Sequence, residues 1–232
     1  MKLSPQANKV LVMGDFTSIG GSHREQVFML DLGPTRGAVD PWTSTEFLGH
    51  CSGSETFYVQ AAAWSPDQAA VYLASTGYMP NGSSTTAPRS GLCDSAAAFP
   101  ATPASVTHRW INYAGCDSLY SIAADNTAVY VGGHQRRLNA PLDCDENNLA
   151  SQPVASPGLG GIDPATGSVY TTTTGGLTGE YSRGRGLGAD DMLLLPRGAV
   201  GAGLWVASDN YKATDTCGGI TNKAGLCYLP YS

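Results

Sequence analysis

The chain has 232 residues, 42% of them hydrophobic and only 14% charged, with 29 glycines, 14 prolines and a formal net charge of −6. The length suits one large all-β domain or two small ones, and the composition indicates a turn-rich, nearly neutral surface rather than a disordered chain. The acidic balance, with basic residues scattered apart from Arg136-Arg137 and Arg183/Arg185, argues against nucleic acid as a partner, and no run of 18 apolar residues predicts membrane insertion.

In chain order, the first element is the strand Val10-Leu-Val-Met-Gly-Asp15. Versions of it return as Val71-Tyr-Leu-Ala-Ser-Thr76, Val129-Tyr-Val-Gly-Gly-His134 and Leu204-Trp-Val-Ala-Ser-Asp209, so the motif starts at residues 10, 71, 129 and 204. A unit of about sixty residues holding several short strands is the signature of a radial array of small sheets. Leu3-Ser-Pro5 aligns with Trp64-Ser-Pro66, which places the start of the chain at the turn after a missing innermost strand. In the second unit Ala61 to Trp64, the turn Ser65-Pro-Asp67 and Val71 to Ser75 form the inner hairpin, and Arg109 to Tyr113 closes the unit. Ala96 to Phe99, bracketed by Pro100 and Pro103, is too short for a helix, and no helix of ordinary length is predicted.

The third unit is the clearest copy. Ser118 to Ala124 is a strand, Asp125-Asn126 a turn, and Ala128 to Gly132 the returning strand. A polar excursion from His134 to Pro157 follows, then Gly160 to Gly167 as a short strand with a tight turn, and β-branched Val169 to Thr174 as the outermost strand. In the fourth unit Asp191 to Leu195 and Gly203 to Ser208 are the inner pair and Leu226 to Pro230 the third strand, with no outer strand after it. The expected architecture is therefore a single β-propeller domain, or propeller segment, of about four blades. Its repeats fall at about 1–60, 61–115, 116–188 and 189–232, and the first and last blades are incomplete. Unpaired strand edges invite partners, so the array is expected to be part of a larger ring, to be completed by another chain, or to self-associate.

Six cysteines (51, 93, 116, 144, 217 and 227) lie in Gly/Ser/Asp-rich contexts without C-x-x-C or histidine spacing for zinc, which favours disulfides and hence a secreted or cell-surface location. No signal peptide precedes the first strand, so an export signal is expected to have been removed or to lie on a longer precursor. Only Cys217 with Cys227 is local enough to pair on spacing.

Several groups carry candidate chemistry. Asp15, His134 and Asp209 hold the same place at the end of the second strand, so in a propeller they ring one face near the axis as a ligand-binding set, or else bond the neighbouring blade. Arg136 follows closely and is suited to clamp a carboxylate or sulfate, or to pair with acids on its own excursion. Asp143, Asp145 and Asn147 present oxygens at alternate positions, as a calcium loop would, although Asn148 and Val154 stand where such a loop wants Gly and Glu; a solvated polar loop is the competing reading. Trp42, Tyr78, Trp110 and Tyr181 beside Gly and Ser are candidates to stack on sugar rings, or to pack blades. The sequon Asn81-Gly-Ser83 marks an exposed loop. No serine-nucleophile, zinc-protease or phosphate-loop motif occurs.

Gly53-Ser-Glu-Thr-Phe-Tyr58, Leu92-Cys-Asp-Ser-Ala96, Trp110-Ile-Asn-Tyr113, Asp117 to Ile122, Val129 to Arg136 and Gly161-Ile-Asp-Pro-Ala-Thr-Gly167 together resemble the secreted β-propeller proteins of the delta-sixty-repeat type common in actinobacteria. The resemblance covers nearly the whole chain and implies the propeller fold; it brings no established chemistry with it. The acidic insertion 143–148 and the cysteine-bearing tail depart from the group. The expected function is an extracellular binding, interaction or assembly module with a protein or glycan partner. The alternative is a hydrolase or lyase acting on polysaccharide through carboxylates at the propeller mouth.

Overall fold

A computed structural model describes residues 1–51, 56–77, 91–102, 104–141, 152–171, 188–209, 216–217, 220–221 and 225–231, the two pairs near the end by backbone alone. The first sheet lies within β1 (Lys2–Leu3), β2 (Lys9–Met13), β3 (Ser18–Ile19), β4 (Ser22–His23), β5 (Val27–Leu32) and β6 (Gly37–Val39). Its order is β1-β2-β5-β6, with β3 and β4 as a ribbon in the connection. The second is β7 (Phe57–Trp64), β8 (Ala70–Gly77), β9 (Ser95–Pro100) and β10 (Trp110–Tyr113), side by side in that order. The third unit contains β11 (Leu119–Ala124), β12 (Val129–Gly133), β13 (Arg137–Leu138), β14 (Val154–Ala155) and β15 (Leu159–Ile162). There β11-β12-β15 is the sheet and β13-β14 a ribbon on the excursion. The fourth unit contains β16 (Ala189–Leu195), β17 (Gly203–Ser208), β18 (Thr216–Cys217), β19 (Ile220–Thr221) and β20 (Leu226–Pro230), with sheet order β16-β17-β20. Every sheet is antiparallel.

The sheets pack face on face in chain order, β2 on β7, β11 on β7 and β8, and β16 on β11 and β12. The innermost strands of all four, represented by Leu3, Ala63, Ala123 and Leu193, line one central cavity of about 260 Å³. This is a β-propeller, and it is open: among the described residues no sheet packing joins the fourth blade to the first.

Three cores fill the three seams. Leu11, Val27 and Met29 meet Trp42, Phe47, Phe57, Leu73 and Phe99 between the first and second blades. Tyr72, Ala96, Ala98 and Trp110 meet Leu119, Ile122, Val131 and Ile162 at the next seam, and Tyr130 meets Met192, Leu204, Val206 and Leu229 at the last. A sheet covered on both faces has no reason to alternate, and β12 is buried at every position and β8 at its first six. Close approach near the axis demands glycine: a Cβ on Gly132 would collide with the Ala189 Cβ, and one on Gly133 with the Ser118 carbonyl oxygen.

The structure departs from the sequence reading at several points. The innermost strand of the first blade is not missing altogether, because β1 keeps two residues of it, paired Lys2 with Leu11 and Leu3 with Val10. Ser95–Pro100, read in the sequence only as too short for a helix, is the third strand of the second blade. The outermost strand expected at Val169 is, among the described residues, a single bridge between Ile162 and Val169. One short 3-10 turn, Thr45–Leu48, is capped by the Ser44 hydroxyl. A disulfide joins Cys51 to Cys93, 42 residues apart, fastening the connection between the first two blades to the entry of β9. Cys116 and Cys227 are also disulfide-bonded; β18, which carries Cys217, lies against β20, which carries Cys227.

Candidate functional site

The ends of the second strands were expected to converge at a mouth, and at the seam of the third and fourth blades they do. β12 delivers His134 and β17 delivers Asp209, and the His134 Nε2 lies 3.0 Å from the Asp209 Oδ2. The other Asp209 oxygen accepts the Gly188 N–H at 2.7 Å. The His134 backbone N–H donates to the Ser118 carbonyl at 3.0 Å, and the Tyr120 ring meets the imidazole edge-on with centroids 5.0 Å apart. The imidazole is thus oriented by backbone, aromatic and carboxylate together.

The third member of the group is Asp190. One donor atom from each of His134, Asp190 and Asp209 lies within 4.8 Å of the other two. Burial raises the Asp190 carboxyl above the usual range and the Asp209 charge raises it further, while His134 pulls it back. One imidazole nitrogen and two carboxylate oxygens at this separation could hold a divalent cation of the transition series.

Asp15, the expected third member, is exposed and stands outside this group. Arg136, on the connection that follows His134, donates from Nε to Asp117 Oδ2 at 2.8 Å. Trp42 is fully buried with its indole N–H on the Pro100 carbonyl, and Trp110 is buried in β10 against Tyr72. Neither can stack on a sugar, since both are needed to fill seams. Asp143, Asp145, Asn147, Tyr78, Tyr181 and the sequon at Asn81 lie outside the described residues.

Asp190 escaped the sequence reading because it sits on a first strand, not a second. A β-bulge between Ala189 and Asp191 releases it from the ladder. Matching irregularities fall between Val59 and Ala61 and between Leu119 and Ser121, so Gln60, Tyr120 and Asp190 are equivalent extra residues. Bulges re-aim side chains, and two of these three reach His134. The sequence signal was the place of Asp190, about one repeat after Tyr120, each the second residue of its innermost strand.

No family model matches the chain, and no curated protein matches it. Among solved structures, the crystal structure of TolB from Acinetobacter baumannii is similar with a TM-score of 0.34 and 16% sequence identity. The match covers 99% of this chain and 42% of that one, so the chain spans less than half the length of that structure.

Proposed function

We propose that this chain is a β-propeller binding and interaction module working in an oxidising, extracytoplasmic compartment. Its recognition site is the mouth at the seam of the third and fourth blades. The observation that carries the reading is the meeting of His134, Asp190 and Asp209 within 4.8 Å on strand ends contributed by two blades. Supporting the compartment, none of the described cysteines is a free thiol. Ligand capture fits this arrangement because Asp209 is held in place through both oxygens, by the Gly188 N–H and the His134 imidazole, so the group is oriented before a ligand arrives.

The test is a peptide and glycan array probed with the chain and with a His134→Ala/Asp209→Asn double variant. Hits that disappear in the variant while its melting temperature holds support the reading; a blank array, or hits indifferent to the variant, refutes it.

A polysaccharide hydrolase is the second reading, favoured by one observation: Asp190 and Asp209 are near the 5 Å or so at which paired carboxylates work in retaining enzymes, with Asp190 shifted toward the protonated acid. It requires new reducing ends from a polysaccharide substrate, lost with Asp190→Asn.

A further inference from the structure

We propose that a second site, a cleft of about 570 Å³ between the second and third blades at the end of the strands opposite the mouth, binds a neutral polyhydroxylated ligand of the saccharide class. The volume falls within the usual few hundred to a thousand Å³ of small-molecule sites. Its walls are the β7–β8 turn, the β11–β12 turn and the turn after β15, and its floor is Tyr72.

Tyr72 is the observation that points to a ligand. The residue is only 3% exposed and its ring stacks on Trp110 with centroids 6.0 Å apart. Yet its hydroxyl makes no hydrogen bond among the described residues, and it is not sealed in: it borders the cleft. A buried phenol normally finds a partner. Here the polar groups near it are Arg109, Asp67 and Asp163, whose charges it feels across the cleft.

Each of those three groups keeps bonding capacity beyond its bonds within the chain. Asp67 commits Oδ1 to the Ser65 hydroxyl at 2.6 Å and the Ala69 N–H at 2.9 Å, and Asp163 commits Oδ1 to the N–H groups of Ala165 and Thr166, both at 2.9 Å. Among the described residues Asp67 Oδ2 has no side-chain partner, and Asp163 Oδ2 takes the Tyr170 hydroxyl at 3.3 Å, with the Thr166 hydroxyl also acting on that carboxyl. These bonds, the Ser65 hydroxyl foremost for Asp67 and the Thr166 amide for Asp163, hold both carboxyls below the usual range, so they are ionised acceptors at neutral pH. Arg109 makes no ion pair and gives one N–H to the Ala69 carbonyl at 3.2 Å.

The cleft therefore offers open acceptors, open donors and a phenol that serves as either, with both charge signs present. The lining carries three carboxylates, Asp67, Asp125 and Asp163, against Arg109: a small anion would face the carboxylates, and a cation would leave the Arg109 donors unanswered. Hydroxyls both donate and accept, so a sugar satisfies all four groups, with the faces of Pro66 and Pro164 as apolar walls.

The test titrates the full chain calorimetrically with neutral gluco-, galacto-, manno- and xylo-oligosaccharides, and with spermidine and citrate as cationic and anionic probes. We expect one oligosaccharide series to bind with Kd below about 1 mM, and Tyr72→Phe, which keeps the ring on Trp110, to weaken it about tenfold through the lost hydrogen bond. Arg109→Ala, at an exposed position, should weaken it similarly, with both melting temperatures unchanged. The proposal falls if no oligosaccharide binds, if binding ignores both variants, or if spermidine or citrate alone binds in their place. Sugar binding that survives His134→Ala/Asp209→Asn but not Tyr72→Phe supports this cleft whatever becomes of the mouth.

Discussion

The two faces of the fourth sheet differ in cover far more than in chemistry. One face presents Met192, Leu204, Val206, Cys227 and Leu229 to the third blade, all at most 6% exposed. The other presents Leu193, Trp205, Leu226 and Tyr228, of which Leu193 is 57% and Leu226 55% exposed. Trp205 stacks on Tyr228 with centroids 4.5 Å apart, and both rings anchor their polar atoms on the preceding turn, at Gly201 and Ala202. A half-solvated antiparallel sheet would alternate apolar with polar. This one has the residue pattern of β8, an interior strand covered on both sides. Composition in a propeller thus reports that a strand belongs to a blade, and only the arrangement of blades decides which faces are dry.

Mutations on the two faces should separate sharply. Leu204→Ala, on the covered face, is expected to cost about 2–5 kcal/mol in urea unfolding, as a cavity at a seam should. Equal losses from Leu193→Ser on the open face would show that face to be covered in solution and would overturn the comparison. At the other end of the array, removing the Cys51–Cys93 bridge by a double change to alanine should cost about 2–4 kcal/mol, since it closes a loop of 42 residues; thermal melting of the oxidised and variant chains measures it.

Next in size is the first blade, where charge rather than carbon finishes the covered face. Lys9 donates to Asp31 at 2.6 Å and also to Asp40. Burial pulls the Lys9 pKa down, but the two carboxylates outweigh it and hold the ammonium above the ordinary 10.5. Because the folded value is the higher, the stability it contributes is complete below about pH 10.5 and is lost as the pH climbs through the raised value. Lys9→Met should therefore flatten the alkaline limb of the stability profile, an effect of about 1 kcal/mol. The smallest expected change is at the mouth. Asp190 titrates above its ordinary 3.8 in the folded chain, so its contribution to stability declines as pH rises through that window. Asp190→Asn should stabilise the chain at neutral pH by no more than a few tenths of a kcal/mol, because the group is solvent-screened; a drop in melting temperature would mean that Asp190 is held by a favourable partner.

What could be read from the sequence follows from these same packing rules. The motifs starting at residues 10, 71, 129 and 204 became β2, β8, β12 and β17 because buried strands leave continuous apolar runs. The turns at Asp67, Asp125 and Asp163 were legible because each carboxylate caps its own turn. β9 was illegible because its Ala96-Ala97-Ala98 core has poor strand propensity and is chosen for the narrow space between blades. The Cys51–Cys93 bridge depends on two distant loops meeting, which spacing does not encode. His134 and Asp209 were found by repeat symmetry, whereas Asp190 was lost to a one-residue bulge and Tyr72 was hidden inside a strand motif that looked purely structural.

The bulges at Gln60, Tyr120 and Asp190 have a consequence for how such a protein can diversify. A residue excused from the hydrogen-bond ladder has no partner across the strand to satisfy, so it can be exchanged for a different functional group while its neighbours stay in register. Three such positions give the propeller interchangeable fittings on a fixed chassis, one for each of its last three blades.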